Sequence, residues 1–138
     1  MSDDFAAAAV RHFRDGDFLS EDDRVSNADQ LFGFAAECAI KSALVSLPAV
    51  KGSGELSARY RRKHIDELWD CVLTQHIPNQ FKNLQALLAS RAKPFMDWST
   101  NQRYGPDDAV TEVALTVHRN AARRALGSVG LLGTRKER

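Results

Sequence analysis

The chain is poor in the features that usually announce an activity. Its only two cysteines, Cys38 and Cys71, lie in no CxxC or Cys/His spacing. Both fall inside apolar helical patterns, so buried reduced thiols are expected rather than a disulfide or a zinc site. The four histidines, His12, His64, His76 and His118, lack the His-x3-His spacing of metal ligands, and no metal is expected. Nor does one sign of charge dominate: 19 Lys and Arg stand against 18 Asp and Glu, a formal net charge of +1. Overall charge therefore gives no push toward nucleic acid. The opening MSDDFAAAAVRHF is acidic where a secretory signal would be basic, and its apolar run is too short for a bilayer. A cytoplasmic protein without a membrane partner is expected. Ser53 between glycines matches neither a nucleophile elbow nor a phosphate-binding loop, because GxSxG and GxxxxGK[ST] are both missing. No triad can be assembled, and no cofactor is expected. There is also no alternating strand pattern, internal repeat or low-complexity segment.

What is present is helical periodicity. At 138 residues one domain is the natural reading, placed at 1–127 with a basic, frayed tail over 128–138. The strongest stretch is Ser26 to Leu47. There Ala28, Leu31, Phe32, Ala35, Ala39, Ala43 and Leu44 recur at spacings of three and four and so share a face. Asp29, Gly33, Glu37 and Lys41 form a second, mostly polar stripe along the same helix. Ser26 or Asn27 is the expected cap, and Pro48 the stop. A first helix is expected over Asp4 to Arg14, capped by Ser2 or Asp3 and ended by Gly16. Its stripe is Phe5, Ala6, Ala9, Val10 and Phe13, and DGDFLSEDDRV is the link that follows, with Phe18 and Leu19 packing back. Further helices are expected around Ile65–Leu73 and Phe81–Leu88. A last helix is capped by Asp107 or Asp108 and faces inward through Val110, Val113, Ala114, Val117, Ala121 and Ala125. Between them Tyr104 reads as an anchored loop, and Trp69 and Trp98 as core. The whole is an all-α, up-and-down bundle of about five helices.

Several residues carry a family resemblance. Ala35-Ala36-Glu37 with Ala39 and Lys41 resembles the AAExAxK core of the HEPN family, the higher eukaryotes and prokaryotes nucleotide-binding domain. His64 with Leu68 is similar to its His-x-x-x-Leu helix start. Arg103-Tyr104 resembles the aromatic-basic pair before its last helix. These features fall in the family's order over roughly two thirds of the chain. The resemblance implies a helical bundle, usually a homodimer. It implies a domain that binds a nucleotide, RNA or a protein partner encoded nearby, as in a toxin–antitoxin or defence system.

Many HEPN proteins resemble metal-independent ribonucleases that use Arg-x4–6-His on a late helix. Here Arg119-Asn120 occupies that kind of helix, but Arg124 stands where histidine is wanted and no histidine follows. A guanidinium stays protonated and cannot act as general acid or base near neutral pH. The literal spacing occurs instead at Arg59-Tyr60-Arg61-Arg62-Lys63-His64, in a basic segment at a helix start. Two site readings follow. In the first, Glu37, Lys41, Arg103, Tyr104, Arg119 and Asn120 line a binding cleft, with Gly33, Glu37 and Lys41 as a wall facing the last helix. In the second, His64 is an acid/base, with Arg59 or Arg62 holding a scissile phosphate. Against both stand plainer accounts: Glu37–Lys41 as a surface i,i+4 pair, and the basic segment as a solvated loop with no ligand.

Overall fold

The computed structural model describes residues 3–46, 56–73, 79–90 and 93–132, and every regular element among them is helical. Helix α1 (Phe5–Glu21) is followed by α2 (Val25–Leu44), a one-turn α3 (Ala58–Arg61), α4 (Ile65–Leu73) and α5 (Lys82–Ala89). A 3-10 turn, Thr100–Tyr104, precedes α6 (Glu112–Ser128). The all-α bundle expected from periodicity is what forms.

Helix α2 is the axis of the structure. Fourteen of its 20 residues are buried, more than a one-sided helix can hide, so neighbours must cover most of its circumference. Alanines 28, 35, 36, 39 and 43 are 4% exposed or less, and these short side chains let flanking helices approach closely. α1 and α6 lie along α2, α4 packs against both α2 and α5, and α5 packs against α6. Phe32, Ile40, Ile65, Leu68, Leu84, Leu88 and Leu126 are essentially sealed between these elements. Each such side chain contributes roughly 1.5–3 kcal/mol of transfer free energy. Trp69 and Trp98 are core residues, as expected.

The first helix ends at Glu21, about two turns beyond its expected end at Arg14. Gly16 is interior and buried, not a cap. A glycine there costs about 1 kcal/mol against alanine, but a Cβ at Gly16 would lie 2.7 Å from Phe32 Cε1. Close approach of α1 to α2 selects it. Asp4, rather than Ser2 or Asp3, caps the helix, accepting from Ala7 N–H at 2.9 Å. The chain reverses over Asp22–Arg24 with Asp23 at φ 59°, a left-handed conformation that aspartate tolerates better than most residues. Leu19 packs on the core, whereas Phe18 is 72% exposed.

α2 starts at Val25 without a side-chain cap. Ser26 Oγ instead donates to Asp107 O at 3.2 Å. The helix ends at Leu44, with Val45 as its cap, short of the expected Leu47; Leu47 and Pro48 lie outside the described residues. In α6, Thr111 is the cap in place of Asp107 or Asp108, accepting from Ala114 N–H at 3.0 Å. Ala121 and Ala125 of the expected face are buried, but earlier in the helix the buried face is rotated from the expected one. Val113 is 76% and Val117 46% exposed, while Leu115, His118, Ala122 and Leu126 point inward. Apolar spacing misplaced this face because its centre is a histidine, buried through ionic partners that hydropathy does not register. Beyond Gly127, Val129, Leu131 and Leu132 still pack on the core. Residues 133–138 of the expected tail lie outside the described ones.

Candidate functional site

The polar stripe of α2 is covered by two different clusters, one toward each end. Toward the C-terminal end, Glu37 is 7% and Lys41 2% exposed, so this i,i+4 pair is not on the surface. Lys41 Nζ donates to Glu37 Oε2 at 3.0 Å and to the Arg61 carbonyl at 2.7 Å. The buried ammonium thus ties the end of α3 to α2. Glu37 Oε1 lies 3.0 Å from His64 Nδ1. An ionised carboxylate can only accept, so Nδ1 carries the hydrogen. With Glu37 already neutralised by Lys41, the contact orients the ring without requiring it to be charged. His64 is the open part of the cluster, its side chain 46% exposed.

Aromatic packing sets the rest of this surface. The Phe34 ring lies 5.9 Å from His64, 6.0 Å from His12 and 5.5 Å from Trp98. Burial lowers the pKa of His12, helped by the neighbouring Arg11 charge, as desolvation and like charge both disfavour the cation. Arg59 and Arg62 are exposed and Lys63 is half-buried. Arg59 lies over the Tyr60 ring at 5.5 Å. Arg61 turns the other way, to Asp3 at 2.8 Å. The basic segment is therefore an anchored helical turn beside an oriented histidine, not a free loop.

The remaining expected residues do not join this group through any hydrogen bond or ion pair. Arg119 grips Asp17 of α1 through two bonds, one of them Nη2 to Oδ2 at 3.0 Å. It also lies 5.3 Å from the Phe13 ring. It closes the α1–α6 seam and does not reach Glu37. The expected wall facing the last helix is corrected accordingly. Glu37 and Lys41 meet His64 and α3, while Gly33 is filled by Trp98, whose Cε2 would lie 2.1 Å from an added Cβ. Asn120 is exposed on α6. Tyr104, expected to be anchored, is 77% exposed, with Arg103 over its ring at 5.0 Å.

The second cluster, toward the N-terminal end of the stripe, went unread in the sequence. His118 of α6 is 1% exposed. Its Nδ1 lies 2.6 Å from Asp29 Oδ1 and its Nε2 2.7 Å from Asp97 Oδ1. Phe95 stacks on the ring at 5.3 Å. Asp29, wholly buried, also accepts from Gln102 Nε2 at 2.7 Å, and its carbonyl accepts from Trp98 Nε1 at 3.0 Å. Gln30 Nε2 donates to the Ser99 carbonyl at 2.8 Å. Burial by itself would lower the pKa of His118. The Asp29 hydrogen bond and charge, then those of Asp97, outweigh it and raise the pKa above the ordinary histidine value. The available signal was Asp29 inside the strongest apolar helix, since a carboxylate there demands a partner.

No group of three or more His, Cys, Asp or Glu side chains suited to a metal exists among the described residues. No helix among them is long and apolar enough to cross a membrane. Family models, curated proteins and solved structures give no match.

Proposed function

We propose that the chain is a HEPN-like binding domain whose ligand site is the His64 edge and the basic turn beside it, taking a phosphate-bearing partner, a nucleotide or RNA. One observation carries this reading. The buried Glu37–Lys41 pair spends its hydrogen bonds on fixing His64 and the end of α3, and this leaves Arg59 and Arg62 exposed on an anchored turn. Guanidinium groups on a pre-positioned turn lose less freedom on meeting phosphate than the same groups on a loop. Tyr60, half-buried among them, holds Arg59 over its ring at 5.5 Å and so helps to fix that guanidinium's position.

The test is a titration of a short single-stranded RNA and of a nucleoside triphosphate against wild type and the Arg59→Ala, Arg62→Ala double variant. Saturable binding that falls at least about tenfold in the variant, and weakens with salt, is the expected result. No saturable binding by wild type overturns the reading and leaves a scaffold domain. The family resemblance extends the proposal to a homodimer in a toxin–antitoxin or defence setting. Light scattering of the purified protein tests the dimer, and a monomer at all concentrations rejects it.

A catalytic version rests on the carboxylate behind His64 Nδ1, which leaves Nε2 able to take or give a proton. The late-helix alternative is weaker, because Arg119 is engaged by Asp17 and Arg124 replaces the needed histidine. RNA cleavage lost in His64→Ala supports the catalytic version. Equal background from both proteins ends it.

A further inference from the structure

We propose that Asp29, His118 and Asp97 form a pH-operated latch, which holds the segment 94–104 against α2 and α6 and lets go at its Asp97 end when the imidazole loses its proton. The geometry dictates the closed state. Both ring nitrogens face carboxylate oxygens, at 2.6 Å and 2.7 Å. Ionised carboxylates donate nothing, so both nitrogens must carry hydrogen and the ring is imidazolium.

Two carboxylates and one aromatic ring meet the imidazole. Asp29 faces it from α2, and Asp97 faces it from the turn before the 3-10 helix. Phe95 covers one face. On the α1 side, the nearby acid Asp17 is taken by Arg119. Gln102 and Trp98 bind Asp29 rather than the ring.

Loss of one proton leaves one nitrogen as a lone pair opposite a carboxylate, and one of the two bonds must break. Exposure decides which. The Asp29 side chain is 0% exposed and the Asp97 side chain 66%. Water can replace the imidazolium at Asp97, whereas nothing can at Asp29, so the remaining hydrogen stays on Nδ1. Release is therefore directional. The stretch around Met96 and Asp97 loosens, while Trp98 remains tied through Nε1 to the Asp29 carbonyl. That stretch leads straight into the Thr100–Tyr104 turn, which presents the exposed Arg103–Tyr104 pair. Ser99 and Gln102 stay bonded to Gln30 and Asp29, so the loosening is confined to the turn before them.

The experiment follows the His118 ring and the Met96 and Trp98 backbone amides, which donate to the Lys93 and Phe95 carbonyls, by NMR from about pH 6 to about pH 9.5. Amide exchange is corrected for intrinsic base catalysis. The expected result is one shared midpoint, with the two amides losing protection as the ring deprotonates while Trp98 Nε1–H stays protected. Asp97→Ala, at an exposed position, keeps the fold and removes both the charge and the acceptor. An asparagine amide would instead accept from the imidazolium and donate to the neutral ring. The alanine variant should lower the ring's midpoint by about one pH unit and leave the two amides weakly protected even at the acid end. Protection that stays flat across the range in wild type overturns the proposal, as does an unmoved midpoint in Asp97→Ala.

Discussion

Two histidines from outside α2 each meet one of its carboxylates, on the same polar stripe, and they do different things. His118 on Asp29 is 1% exposed, and His64 on Glu37 is 46% exposed. At the sealed position the second ring nitrogen is bound by Asp97, and the group acts as a cross-link between α2, α6 and the turn before the 3-10 helix. At the half-open position the carboxylate is already balanced by Lys41, and the imidazole is oriented but not consumed. The same imidazole–carboxylate contact ties elements together where water is excluded and leaves the ring part-open where water reaches it.

The sharpest way to break that contrast is to delete each ring. His118→Ala leaves Asp29 buried without its cation, and the expected loss is about 3–5 kcal/mol in urea unfolding. His64→Ala leaves Glu37 paired with Lys41 and should lose less than about 1 kcal/mol. Equal losses at the two positions would show that exposure does not separate their roles.

Gly33 lies on the stripe between the two clusters, and substitution there measures how tightly the sealed end is closed. An added Cβ falls 2.1 Å from Trp98 Cε2, in an indole fixed by its bond to the Asp29 carbonyl. Gly33→Ala should cost about 1–3 kcal/mol through overpacking, despite the better helix propensity of alanine. Gly127→Ala, with nothing within 4 Å of its Cβ, is the control and should gain about 0.4–1 kcal/mol. Thermal melts of both variants check this, and a stabilised Gly33→Ala would mean that Trp98 can move aside.

How legible all this was depends on what each residue does with its polar atoms. Helix α2 declared itself through apolar spacing, and its polar stripe was visible as Asp29, Gly33, Glu37 and Lys41. Which elements would cover that stripe was not, because His64 and His118 are brought to it by tertiary packing over 27 and 89 residues of sequence. The inward face of the first half of α6 was misread for the same reason, although Ala121 and Ala125 are buried as expected. Val113 and Val117 look like core by hydropathy, yet the face turns on a histidine made burial-tolerant by two distant aspartates. Gly16 failed as a helix stop because the constraint on it, the Phe32 ring, belongs to another helix. Local rules located the elements; the choice of face was set by contacts that no local window contains.

Stability against pH gives a smaller effect that separates the sealed site from its surroundings. The pKa of His118 is raised in the folded state, so its contribution is complete below about pH 6.5, the unfolded value. It is lost as pH rises through the folded value. His12 has the opposite sign. Its pKa is lowered by burial and then by Arg11, so the unfolded chain binds the proton more readily and stability falls as pH drops through the window below about 6.5. Urea midpoints across this range should therefore decline on both sides of a maximum near that value. In His118→Gln the alkaline decline should flatten and the acid one persist. An alkaline limb unchanged in that variant would assign it to other groups.

The smallest expected effect concerns Cys38, directly beside Glu37 and 8% exposed. It tests how far the open character of the His64 end extends inward. Burial first, and then the Glu37 charge, push its thiol up to about 12. At pH 8 only roughly one molecule in ten thousand then carries the thiolate that reacts with disulfide reagents. In a Cys71→Ser background, Cys38 should be labelled at a rate limited by unfolding, so that added urea accelerates the reaction. Rapid labelling of the native protein, insensitive to low urea, would show that water and reagent pass His64 and reach the far side of Glu37. The site would then be a cleft and not an edge, and the buried Glu37–Lys41 pair would itself be within reach of a ligand.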